Sequence, residues 1–133
     1  MIQGLIVTHG DLGREMVRVV EGILGQKSRL EVLSVRWEEN GTDIIDELDR
    51  YIQKNRDQKI IVFTDMFGGS PTNISLKYAD QKNIEIISGI NLPALLKYHT
   101  YRDKKLSLRK LALMIKAEAV DGIHLLSDLL GGK

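Results

Sequence analysis

The chain of 133 residues has no cysteine, one tryptophan, two prolines and only a slight excess of charge, a formal +1 at pH 7. Without cysteine there is neither a disulfide framework nor a thiolate metal site. No apolar run approaches the roughly 20 residues that span a bilayer. Met1-Ile2-Gln3-Gly4-Leu5-Ile6-Val7 has no basic lead and its apolar run stops at Thr8-His9, so it does not read as a signal peptide. The densest basic patch, Arg102-Asp103-Lys104-Lys105 with Arg109-Lys110, is short and interrupted by an acid. It reads as a solvated helix start, and nucleic-acid binding is not expected. Internal repeats, low-complexity stretches and linkers are also lacking. What remains is an ordinary globular balance, 43% apolar and 28% charged, which predicts one cytoplasmic domain over residues 1–133.

Period and punctuation predict the elements. Ile2 to Val7 is a short β-branched run, read as a buried strand, and Thr8 to Gly13 a turn. A helix follows with Leu12, Met16, Val19, Val20, Ile23 and Leu24 on one face, closed by Gly25. Leu30 to Val35 is the second strand. Asn40-Gly41-Thr42 opens a second helix, with Thr42 as N-cap and Ile44, Ile45, Leu48, Tyr51 and Ile52 buried. Lys59 to Phe63 has the continuous apolar character of a central parallel strand. Ser70-Pro71 starts a third helix to about Ala79, since serine caps and proline at the first helical position loses only an orphan N–H. Ile84 to Ile87 is the fourth strand, Leu92-Pro93-Ala94 opens a short fourth helix, and Leu106 to Ala119 is a fifth. Gly122 to Leu126 reads as a short last strand. Alternation of this kind predicts an α/β fold, an open, mainly parallel four-stranded sheet with helices on both faces.

In open α/β sheets, ligands bind beyond the carboxyl ends of the strands. Thr8-His9-Gly10, Thr64 to Ser70 and Ser88 to Asn91 all stand at such ends. A neutral imidazole at His9 is a nucleophile able to gain and lose a group near neutral pH. Asp65, at the end of a neighbouring strand, is placed to accept a hydrogen bond from one ring nitrogen, fixing the tautomer and orienting the ring. Gly68 and Gly69 offer unhindered backbone N–H groups beside a helix start, where an anion is favoured. Hydroxyls at Ser70 and Thr8 are further donors to phosphoryl oxygens.

Each of these residues also has a plainer reading. A histidine at a strand end is often a surface residue, Asp65 suits an Asx-type turn, and Gly68-Gly69 suits a tight turn. Gly-Gly-Ser-Pro has no lysine after the glycines and is not a nucleotide P-loop; Gly10-Asp11-Leu12-Gly13 lacks the first glycine of a dinucleotide fingerprint. A receiver domain phosphorylated on Asp65 would need an acidic pair after strand one to hold magnesium, where this chain has Thr8-His9. His99 and His124 have no second ligand at metal spacing and read as structural. Trp37 is either a lid on the core or part of a partner surface, and the sequence leaves both open.

The chain resembles the IIA component of the mannose/fructose-type sugar phosphotransferase system. Val7-Thr8-His9-Gly10 is similar to that family's phosphorylated histidine segment. Thr64-Asp65-Met66-Phe67-Gly68-Gly69-Ser70-Pro71-Thr72-Asn73 is similar to its Asp-x-x-Gly-Gly-Ser-Pro-x-Asn segment, and Gly89-Ile90-Asn91-Leu92-Pro93 to its Gly-Val-Asn-Ile-Pro segment. The resemblance covers nearly the whole chain. It implies that His9 accepts phosphate on Nε2 from the phosphocarrier HPr and passes it to a IIB component, which phosphorylates sugar entering through the membrane subunits IIC and IID. Asp65 would be the partner of His9, and Ser70 with nearby backbone would line the phosphate pocket, with no metal or cofactor. It also implies a homodimer with a C-terminal strand exchanged between subunits, a role that Gly122 to Leu126 would fill. No IIB domain follows, so the acceptor is expected on a separate polypeptide. The charged stretch Asp11 to Met16 departs from the family pattern and bears on partner choice. A regulatory module switched by phosphorylation and a dihydroxyacetone kinase phosphotransfer subunit are the alternatives.

Overall fold

The computed structural model describes residues 1–37 and 42–132. Four strands, β1 (Gln3–His9), β2 (Leu30–Val35), β3 (Ile60–Thr64) and β4 (Ile84–Ser88), form one sheet in the order β2-β1-β3-β4. All three pairings are parallel, with Val7 level with Thr64 and His9 level with Val35. Among the described residues six helices connect or follow them: α1 (Leu12–Leu24), α2 (Thr42–Lys54), α3 (Ser70–Ser75), α4 (Leu92–Tyr101), α5 (Leu108–Asp121) and α6 (Leu126–Leu129). None is long and apolar enough to cross a membrane.

The chain leaves β1 toward one edge through α1, then returns past β1 to β3 through α2. Right-handed crossovers in opposite directions put those two helices on opposite faces. Side-chain alternation along the strands serves both faces. Ile6, Ile61 and Phe63 pack with α1, α4 and α5, in a core that includes Val20, Leu95, Tyr98, Leu111 and Ile115. Leu5, Val7, Ile60 and Val62 pack with Leu48, Tyr51 and Ile52 of α2 and with Tyr78. Each fully buried side chain of this size contributes roughly 1.5–3 kcal/mol.

Several elements depart from expectation. Helix α1 turns Gly13, Met16, Val17, Val20 and Leu24 to the sheet, leaving Leu12, Val19 and Ile23 exposed. The apolar stripe in the sequence is wider than the contact, and close packing of Gly13 on Ile6 and Val32 sets the rotation. The third helix starts at Ser70 with Gly69 as N-cap, in place of Ser70, and passes into a 3₁₀ turn at Leu76–Tyr78. Helix α5 starts at Leu108, capped by Ser107, whose hydroxyl accepts the Lys110 N–H at 3.1 Å. Asn40, Gly41 and the Thr42 side chain, expected to open and cap α2, lie outside the described residues. The last strand, expected at Gly122 to Leu126, is not formed within this chain. Residues 123–125 belong to neither helix nor strand, and Leu126 begins α6. This tail reaches no strand of its own sheet to pair with, and Ile123, Leu125, Leu126, Leu129 and Leu130 are all exposed.

Candidate functional site

Strand order reverses direction between β1 and β3, because β1 sends its connection to one side and β3 to the other. A crevice opens at such a point beyond the carboxyl ends of the strands. His9 is the last residue of β1, and Asp65 follows the last residue of β3. His9 Nδ1 lies 2.7 Å from Asp65 Oδ2. The same oxygen accepts the His9 backbone N–H at 2.9 Å, and Oδ1 accepts the Met66 N–H at 2.9 Å. Burial pushes the Asp65 carboxyl up, but these hydrogen bonds and the attraction of the His9 ring together hold it below the usual carboxylate range. An ionised Asp65 is acceptor only, so Nδ1 carries the proton, and in the neutral ring Nε2 is the nitrogen with the lone pair. The His9 side chain is 22% exposed and Asp65 10%, so the ring reaches solvent while its partner is largely covered.

The loop between β3 and α3 closes on the other edge of the ring. Gly68 has φ +86°, a left-handed conformation that glycine adopts at little cost. Gly69 follows against the imidazole: a Cβ there would stand 2.9 Å from His9 Cε1 and 3.5 Å from Nε2. Only a glycine lets the backbone approach the ring this closely. Ser70 is exposed at the start of α3. The helix makes its first backbone bond from Asn73 N–H to Gly69 O, so the Ser70 N–H precedes the hydrogen-bonded turns.

A hydroxyl network that the sequence did not reveal supports this loop. Thr72 donates to Met66 O at 2.7 Å, and its oxygen lies 2.7 Å from Thr64 Oγ1 and 3.2 Å from Ser88 Oγ. With the Thr72 proton on Met66 O, the other two hydroxyls donate to Thr72. The loop is thus pinned to the ends of β3 and β4. The signal available in the sequence was the recurrence of Thr or Ser at those two strand ends, at Thr64 and Ser88.

Thr8, expected to donate to phosphoryl oxygens, does something different. It is fully buried, and its hydroxyl accepts the Gly13 N–H at 2.8 Å. It is packed against the start of α1, while the next residue, His9, keeps part of its ring exposed. Asn91, just after β4, caps α4 by accepting the Ala94 N–H at 3.1 Å, and its amide donates to Ala119 O at 2.9 Å. Its role is to fasten α4 to α5. Trp37 resolves to neither of the two readings alone: its indole is stacked on the His9 ring, with centroids 5.1 Å apart and planes 18° apart. His99, in the last turn of α4, has Nε2 3.2 Å from the Gln26 amide nitrogen, and His124 is exposed in the tail. Among the described residues no group of three or more His, Asp or Glu side chains is placed to hold a metal ion.

Comparison with known proteins gives the same direction. Residues 4–116 match the model of the EIIA-man family, described as the PTS system fructose IIA component. The mannose-specific EIIAB component of Escherichia coli (strain K12) is 26% identical over 124 residues, 92% of this chain and 38% of that protein. The chain therefore spans less than two fifths of that relative. The fructose-specific EIIA component of Bacillus subtilis (strain 168) is 26% identical, over 96% of this chain and 88% of that one. The crystal structure of phosphotransferase system component EIIA from Streptococcus agalactiae has a TM-score of 0.87 and 25% identity, covering 96% of this chain and 99% of that one. The chain belongs to the EIIA-man family, the phosphotransfer components of the sugar phosphotransferase system.

Proposed function

We propose that His9 carries a phosphoryl group on Nε2, taken from HPr and passed to a IIB component during sugar uptake. The observation that supports this most is the 2.7 Å contact of Nδ1 with Asp65, which leaves the other nitrogen as the nucleophile. Its lone pair attacks the phosphorus of a phosphohistidine donor. The new N–P bond forms as the donor's N–P bond breaks, and that electron pair returns to the donor nitrogen. The donor ring starts cationic and ends neutral; the His9 ring starts neutral and ends cationic, with its proton still on Nδ1. No proton has to move. Asp65 stabilises the cationic adduct, and exposed Gly68 and Ser70, with the Ser70 N–H and hydroxyl, stand where phosphoryl oxygens would be met.

The surroundings suit a protein donor. Trp37, Met66 and Phe67 are exposed around the ring, at 78%, 56% and 81%. Apolar and aromatic side chains of this kind form the centre of protein interfaces. A cytoplasmic carrier of this type would meet the membrane subunits IIC and IID only through IIB. The exposed apolar residues of the tail, Ile123 to Leu130, support a homodimer in which each tail packs on the other subunit.

The experiment is a reconstituted relay of phosphoenolpyruvate, Enzyme I, HPr, this protein and candidate IIB proteins. Label is expected on this protein and then on a cognate IIB. Labelling that goes no further, with state-dependent capture of a regulator, would replace transport by a signalling role. Onward transfer to dihydroxyacetone kinase subunits and to no IIB would place the chain in that system.

A further inference from the structure

An indole that is 78% exposed gains little from burial, yet it lies flat on the proposed nucleophile. Two ties hold it there. The Gly10 N–H donates to Val35 O at 2.8 Å, fastening the end of β2 to the turn after His9. The Arg36 guanidinium then pairs with Asp11 at 2.9 Å, immediately before Trp37. The charge that departs from the family pattern after His9 thus has a structural use: Asp11 holds the segment that carries the indole.

The two contacts on the imidazole are complementary. Asp65 grips Nδ1 in the plane of the ring and leaves it free to tilt about that bond; a stacked indole opposes the tilt. The Nε2 lone pair also lies in the ring plane, so a cover on one face leaves the in-line approach of a donor open. Loading changes the charge of the ring. With phosphoryl on Nε2 and the proton on Nδ1 the imidazole is cationic, and an indole face within about 6 Å attracts a cation more than a neutral ring.

We propose that Trp37 is a positioning residue that holds the His9 ring and favours its phosphorylated form. This rests on the carrier reading above. Stacking of this strength at an exposed site shifts the loading equilibrium roughly two- to fivefold.

The test compares wild type with Trp37→Ala, Trp37→Leu and Trp37→Phe. Each is loaded both from phospho-HPr and from phosphoramidate, a small donor that needs no docking surface, and the equilibrium fraction of phosphohistidine is read by phosphorus NMR. Trp37 is the chain's single tryptophan, so its emission reports the contact directly. The expected result is a roughly two- to fivefold lower loading constant with either donor in Trp37→Ala and Trp37→Leu, restored in part by Trp37→Phe. Emission changes on loading in wild type and stays constant in His9→Gln. Equal loading in Trp37→Ala, or Trp37→Leu performing as well as Trp37→Phe, overturns the proposal while leaving the carrier reading intact. A loss with HPr alone, absent with phosphoramidate, also overturns it and assigns the indole to docking. Failure of wild type to load from either donor overturns the carrier reading, and this proposal with it.

Discussion

One carboxylate oxygen of Asp65 accepts both the backbone N–H and the Nδ1–H of His9, at 2.9 and 2.7 Å. The ring and the strand end that bears it are therefore gripped by the same atom, and rotating the ring away would strand a largely covered charge. Everything else at the crevice refines this pair: Gly69 at one edge of the ring, Trp37 on its face.

The pair makes stability depend on pH with a definite sign. Asp65 is held below its unfolded value of about 3.9. Its contribution is complete above that value and is lost as pH falls through the lower, folded one. Denaturant unfolding of wild type and Asp65→Asn between pH 4 and pH 2 should show an advantage for wild type that shrinks as pH falls through the lowered value of Asp65. An advantage that fails to shrink as pH falls from about 4 to 2 would contradict the pairing.

Substituting Gly69 by alanine should spare the fold and damage the site. The extended backbone of Gly69, φ −82° and ψ 168°, is open to alanine at the modest cost of a poorer N-cap, but the added Cβ would stand 2.9 Å from His9 Cε1 and 3.2 Å from Met66 Cγ. Ring or loop must move. The rate of phosphoryl labelling should fall on the order of tenfold or more, since displacements well under 1 Å misalign a transfer. An unchanged melting temperature with an unchanged rate would show that the close approach has no role.

Thr8→Val separates structure from chemistry in the opposite way. The substitution keeps the shape and removes the acceptor of the Gly13 N–H. A buried N–H left unpaired costs about 1–3 kcal/mol, so the melting temperature should drop. Labelling of His9 should continue, because the lost hydroxyl faces α1. Wild-type stability combined with lost labelling would return Thr8 to the phosphate pocket.

Much of this molecule is legible in its sequence because local pattern and topology agree. The strands are short apolar runs with turn residues between them, and a parallel sheet brings their carboxyl ends to one edge, where the pairing of the first strand with the third sets His9 beside Asp65. Legibility fails where a contact joins segments with no shared pattern. Trp37 meets His9 from just beyond the carboxyl end of β2, and Thr72 bridges Thr64 and Ser88 across two strand ends. It fails again where apolarity exceeds what one chain can bury: Val19 and Ile23 look like core and are exposed, and the tail from Gly122 looks like a strand with no edge to join.

Phosphate transfer to wild type, Asp65→Asn and His9→Gln from labelled phosphoenolpyruvate through Enzyme I and HPr is the most direct measurement. Wild type should acquire acid-labile, base-stable phosphate on Nε2. Asp65→Asn should acquire it about 10- to 100-fold more slowly, the equivalent of one lost charge-assisted hydrogen bond, and His9→Gln should acquire none. Label that persists undiminished in His9→Gln, or proves stable to acid and labile to base, would contradict the assignment of the phosphoryl group to this imidazole.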